Sequence, residues 1–248
     1  MEFAIVYELL VRTLVYHHTC EGMENILERH DFNMTNETGK TLLMLAAQNE
    51  HTEVVLLLMS DPRVDVNLSD ENGMTALYFA SWKGHSEIVS MLLANPNVHR
   101  NLRDRWGITP LMISAGDGHA TVVKMLLADQ HVDPTMTDWV EGWTALNYAI
   151  EGGVYKYTIP VLELLLADHR VTRVPPDEDR EEACIHYEAA LFLVKYRRRA
   201  RFKGLVRAVV VLRRMRLRAA KIVYAPGGTG FAAAKSSFDE EVGQQASK

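Results

Sequence analysis

Ten histidines and two cysteines are the residues of this chain best suited to hold a metal or move protons. Either task needs convergence, because zinc takes four tetrahedral ligands and a general base must reach its proton. Cys20 and Cys184 lie far apart and no CxxC occurs, which suits a reducing compartment and gives no disulfide framework. His17-His18 and the Cys184/His186 pair lack the further ligands of a tetrahedral site. There is no Gly-x-Ser-x-Gly, His-Glu-x-x-His or P-loop pattern. The GGTG run at 227–230 lacks the Lys-Ser/Thr of a phosphate loop and, following Tyr224-Ala225-Pro226, reads as a helix end. The sequence therefore assigns no catalytic residue, no metal ligand and no cofactor.

Three histidines obey a different rule. His51, His85 and His119 each stand ten residues after a threonine, at Thr41, Thr75 and Thr109. A repeat spreads such residues apart, so their role is structural. Around them three segments align without gaps: GKTLLMLAAQNEHTEVVLLL from Gly39, GMTALYFASWKGHSEIVSMLL from Gly73 and GITPLMISAGDGHATVVKMLL from Gly107. GWTALNYAIEGG from Gly142 begins a fourth, and the starts are 34, 34 and 35 residues apart.

Each shared position has a physical reading. Thr41, Thr75, Thr109 and Thr144 stand where a helix begins, with hydroxyls able to cap free N–H groups. Leucine and alanine after them, such as Leu77 and Ala80, form the inner face of a short first helix. Gly84 and Gly118 end that helix in the left-handed region. Val54, Ile88 and Val122 open a second helix closing on Leu57-Leu58, Leu92-Leu93 and Leu126-Leu127. Polar stretches such as DPRVDVNLSDENG form the loops between. In the fourth repeat about four residues, around Val154–Thr158, are inserted between the helices, and Pro160 falls near the start of the second helix.

This pattern resembles the ankyrin repeat, whose period is about 33 and whose signature is Thr-Pro-Leu-His-x-Ala. The resemblance covers roughly residues 39–171. It implies an all-α solenoid of helix-turn-helix repeats with β-hairpin-like loops, in which the recurrent histidine makes turn hydrogen bonds. Residues 1–38, where Thr13, Gly22, Ile26 and Leu27 echo the pattern, are read as a degenerate N-terminal capping repeat. Four repeats fill 39–174, a basic helical region 175–226, and a disordered tail 227–248.

The resemblance also implies a function: non-catalytic binding of a partner protein on the concave face, built from hairpin tips and the outer positions of first helices. All four tryptophans fall at such positions: Trp82, Trp106, Trp139 and Trp143. Each can bury about 150–250 Å². Four together would exceed the roughly 300–600 Å² of the largest apolar patch on an ordinary monomer. Tryptophan and arginine dominate interface hot spots, and Arg103 and Arg105 flank Trp106. The expected surface is completed by Lys83, Met74, Glu71 and Ile108. Alternatively, some rings fold back on neighbouring hairpins or are covered by the C-terminal segment.

The net charge of −5 conceals a division: residues 189–248 carry fourteen Lys/Arg against three Asp/Glu, and residues 1–188 carry 13 against 29. Pro175-Pro176 breaks the array, and the acidic DEDREEA then opens a new helix. From Lys195 to Lys221 there are twelve basic residues and no acid, among them Arg197, Arg198, Arg199, Arg201, Lys203, Arg213, Arg214, Arg216 and Arg218. Leu205, Val209, Leu212, Met215, Ala219 and Ile222 keep helical spacing, the mark of a basic amphipathic helix. Four occupants suit it: its own acidic repeats, a calmodulin-like partner reading Phe202, Val209 and Met215, nucleic acid, or an anionic membrane surface. In that alternative the tail targets the protein and the repeats are scaffold. The N-terminus carries Glu2, Glu8 and Arg12, which argues against a signal peptide, and no apolar run would span a bilayer. The expected location is intracellular, cytoplasmic or nuclear, and neither secreted nor transmembrane.

Overall fold

The structure is a computed structural model that describes residues 2–14, 31–151 and 155–171. The basic region from Arg197 to Arg218 and the tail at 227–248 lie outside the described residues, as do Gly22, Ile26 and Leu27 of the N-terminal segment.

Nine helices are described: α1 (Glu2–Leu14), α2 (Leu42–Gln48), α3 (Thr52–Ser60), α4 (Ala76–Lys83), α5 (Ser86–Ala94), α6 (Pro110–Gly116), α7 (Ala120–Ala128), α8 (Ala145–Glu151) and α9 (Tyr155–Ala167). The threonines start three of the first helices as their chemistry requires. Thr41, Thr75 and Thr109 are extended, and their hydroxyls accept from the N–H groups of Met44, Tyr78 and Met112 at 3.3, 3.2 and 3.3 Å. Each satisfies a donor the helix cannot, worth about 1 kcal/mol. Pro110 occupies the first helical position of α6, where a missing N–H costs nothing. Thr144 sends its hydroxyl to Asn147 Oδ1 at 2.8 Å.

The turn to the second helix needs a left-handed residue. Gly84 (φ 77°) and Gly118 (φ 79°) supply it, but in the first repeat Glu50 does, at φ 62°. At Gly84 a second constraint applies, since a Cβ there would lie 2.5 Å from His119 Nδ1.

First and second helices form two rows. In one, α2, α4, α6 and α8 pack in succession; in the other, α3, α5, α7 and α9 do. Val54, Val55 and Leu58 are buried on α3, as are Ile88, Val89 and Leu92 on α5, Val122, Val123 and Leu126 on α7, and Val161, Leu162 and Leu165 on α9. This i, i+1, i+4 stripe is the face an amphipathic helix must cover. Alanines 46, 47, 80, 115 and 149, all buried, leave room for the first helices to approach closely. Helix α1 packs on α3, and Tyr7 reaches His51 Nδ1 at 2.9 Å.

The loops are stitched by side-chain amides at a spacing of 34. Asn33, Asn67 and Asn101 each donate Nδ2 to a carbonyl in the following repeat, those of Arg63, Asn97 and His131, at 2.7–2.8 Å. Their Oδ1 atoms accept from the N–H groups of Asp65, His99 and Asp133.

Two expectations about the fourth repeat are corrected. The inserted residues are not all a linker between helices, because α9 begins at Tyr155 and Tyr155–Thr158 form its first turn. Pro160 therefore lies inside the helix and not at its start. The buried Val161, Leu162 and Leu165 continue the stripe of the preceding repeats, so extra residues can lengthen the helix only at its outer end. The exposed Pro160 removes one backbone bond at the edge of that added turn.

Candidate protein-interaction surface

The loops between repeats end in tight tips, each organised by one side chain. Asn36, Asp70, Asp104 and Asp138 turn Oδ1 toward the backbone N–H groups that follow. Asp70 accepts from Asn72 and Met74, both at 2.9 Å. Asp104 accepts from Trp106 at 2.9 Å and Ile108 at 2.8 Å. Asp138 accepts from Val140, Glu141 and Trp143 at 2.9–3.2 Å. Isolated antiparallel bridges close the first two tips, Thr35 with Thr41 and Ser69 with Thr75.

Neighbouring tips are joined by backbone hydrogen bonds. Glu71 N–H donates to Thr38 O at 3.4 Å, Arg105 N–H to Asn72 O at 2.8 Å and Trp139 N–H to Trp106 O at 2.9 Å. Glu71, Arg105 and Trp139 are thus equivalent positions in successive repeats, the first residue after the tip's aspartate.

Trp106 and Trp139 are brought side by side by that last bond, and both are open, at 38% and 63% exposed. Val140, missed in the sequence reading, is 66% exposed beside them. The signal for it was two consecutive large apolar residues inside an Asp-to-Gly tip. Arg105 lies over the Trp106 ring, its Cζ 4.2 Å from the centroid, and Arg103 lies 5.8 Å from the Trp139 centroid. Gly107 makes this possible: its φ is +88°, and a Cβ there would fall 2.8 Å from Trp139 Cγ. Trp139 therefore rests against the neighbouring tip at Gly107 and is still largely exposed.

The other two tryptophans are half-buried and do not extend an open four-ring patch. Trp82, in the last turn of α4, tilts against Phe79 at 6.3 Å under Lys83, whose Nζ is 4.3 Å from the ring centroid. Trp143 stands edge-on to Tyr148 at 5.7 Å. Tyr148 in turn donates its hydroxyl to Asp138 Oδ2 at 2.7 Å. Burial pushes the Asp138 carboxyl up, but the Tyr148 hydroxyl and three backbone N–H groups outweigh it and hold the group below the usual carboxylate range. Of the remaining expected residues, Glu71, Lys83 and Arg105 are exposed, while Met74 and Ile108 are half-buried behind the tips.

The recurrent histidines make no side-chain cap bond in their own turns, and two of them instead join repeats. His119 Nε2 lies 2.9 Å from the Trp82 carbonyl and His85 Nε2 lies 3.2 Å from that of Gln48, each 37 residues back. Among the described residues no group of three His, Cys, Asp or Glu could hold a metal ion.

A family model of ankyrin repeats, in three copies, matches residues 10–104 and again residues 95–174. The chain belongs to the ankyrin-repeat family. No curated protein matches it significantly. Ankyrin repeats are in general protein–protein interaction modules and typically not catalytic. Among the described residues of this ankyrin array no helix is long and apolar enough to cross a membrane.

Proposed function

We propose that this ankyrin array binds a partner protein on the face formed by its hairpin tips and first helices, anchored at the third and fourth tips. The observation that carries the reading is the pairing of two open indole rings, Trp106 and Trp139, on hydrogen-bonded neighbouring tips beside the exposed Val140. Tryptophans held this way are costly to leave in water and lose little side-chain freedom on binding, which is why such residues dominate interface energetics. Trp82 with Lys83, and Trp143, flank this centre, and Glu71, Met74 and Ile108 complete the contact surface.

The test is affinity capture from cell extract with the full chain and its Trp106→Ala/Trp139→Ala variant as baits. The reading expects the variant to lose partners the parent captures while its melting temperature stays within a few degrees. Equal capture by both baits would remove the tips from the binding surface. A large fall in melting temperature would make the two rings structural.

A further inference from the structure

The five arginines at 63, 100, 103, 105 and 170 fall into two groups. Arg63, Arg100 and Arg170 are each tied to a carboxylate, those of Asp61, Asp129 and Asp168. Arg103 and Arg105 are not: among the described residues neither has a carboxylate within ion-pair distance. Both instead lie near the faces of open tryptophans, at 5.8 Å and 4.2 Å from ring centroids. A guanidinium stacked on a ring keeps its N–H edge available and gives up little further freedom when a planar anion arrives. We propose that these two arginines form a receptor for the carboxylates of an acidic segment of the partner protein, with Trp139 and Val140 seating an apolar residue of the same segment. The inference rests on the binding reading above and names its chemistry.

The surrounding charge penalises a long polyanion more than a short acidic peptide. The tips around the arginines carry exposed Glu71 and Glu141, and residues 1–188 hold 29 acids against 13 Lys/Arg. A polyphosphate would meet that field along its whole length, whereas nucleic-acid surfaces are broadly basic. A segment with two or three carboxylates touches only the arginine pair, where a two-pronged Arg–carboxylate contact supplies both strength and geometry. The apolar seat then decides which acidic segments bind.

The full-length chain is used to pan a displayed library of random peptides, with the Trp106→Ala/Trp139→Ala variant as counter-selection. Peptides that depend on the tips are expected to be enriched in Asp and Glu around an apolar residue. Their affinity should fall about tenfold on Arg103→Gln/Arg105→Gln, equivalent to about 1.4 kcal/mol, and weaken with added salt, while the circular dichroism of the variant is unchanged. Tip-dependent peptides without acidic enrichment, or indifferent to the arginine variant, overturn the carboxylate receptor and leave the tip reading standing. No tip-dependent peptide at all overturns both. Tighter binding of a single-stranded oligonucleotide than of any selected peptide, lost with the same arginines, reassigns the pair to phosphate.

Discussion

The hydroxyl of Tyr78 donates to Oδ2 of Asp104 at 3.0 Å across one repeat, and both residues are buried. Burial, then the neighbouring carboxylate, pushes the Tyr78 hydroxyl far above its usual value. A group whose folded pKa is raised contributes stability that is complete below its unfolded value, near 10, and is lost as pH rises above it. Tyr78→Phe is expected to cost about 1–3 kcal/mol at neutral pH, because Asp104 keeps a buried oxygen without its donor. Urea unfolding at pH 7 measures that cost. A second series above pH 10 should show a shallower alkaline decline in the variant than in the parent.

The corresponding place one repeat earlier is unfinished. Met44 stands where Tyr78 stands, 26 residues before Asp70 as Tyr78 is before Asp104, and a thioether has no proton to give. Asp70 Oδ2 is accordingly buried with no hydrogen-bond partner. Met44→His introduces an N–H donor on a side chain no larger than methionine. The gain should be about 1 kcal/mol, read as a higher urea midpoint with unchanged slope. Asp70→Asn should remove most of that gain.

Glu50 holds the left-handed turn that glycine holds in the next two repeats. Left-handed backbone costs a residue with a Cβ roughly 1–2 kcal/mol, partly offset by the greater freedom glycine has when unfolded. The Glu50 contact to His85, at 3.5 Å from a largely exposed carboxylate, adds little. Glu50→Gly is expected to raise stability by about 0.5–1 kcal/mol. A lower thermal midpoint would show the His85 contact to matter more than the backbone.

Asp138 gives the fourth tip an acid sensitivity. Its folded pKa is depressed, so its stabilisation is present above the unfolded value, near 3.9, and is lost as pH falls toward and through the folded one. Tyr148→Phe removes the hydroxyl that helps depress it. The variant should be less stable than the parent at pH 7, and the gap should narrow at pH 3. An equal gap at both pH values would show that the hydroxyl does not act through the carboxylate.

Much of the scaffold was legible because the repeat writes each structural role several times. Thr41, Thr75 and Thr109, the Val54-Ile88-Val122 stripe and Gly84 could be read from alignment within the chain. What could not be read were the exceptions, which occur once each, and the partners of side chains that reach into the next repeat. Glu50 takes a left-handed turn that its residue type does not announce, and only its register with Gly84 and Gly118 marks the place. The residues before Pro160 join α9 because the buried stripe fixes the register downstream. The asparagines at 33, 67 and 101 were visible as a spacing of 34, but their partners lie in the next repeat and cannot be deduced from local sequence. The candidate surface was half legible: tryptophan positions followed from the tip pattern, while exposure depended on neighbours. Phe79 packs beside Trp82 and Tyr148 beside Trp143, whereas Trp139 stays largely open although it rests against Gly107.

The bonds between tips run from Glu71, Arg105 and Trp139 to the carbonyls of Thr38, Asn72 and Trp106, and all are main chain to main chain. None depends on which side chain those residues carry. Recognition and architecture are thereby written in separate alphabets, so that residues 71, 72, 105, 106, 139 and 140 can be randomised together while the frame stays in place. The array is thus a ready template for selecting new specificities, and natural drift can retarget it by the same route.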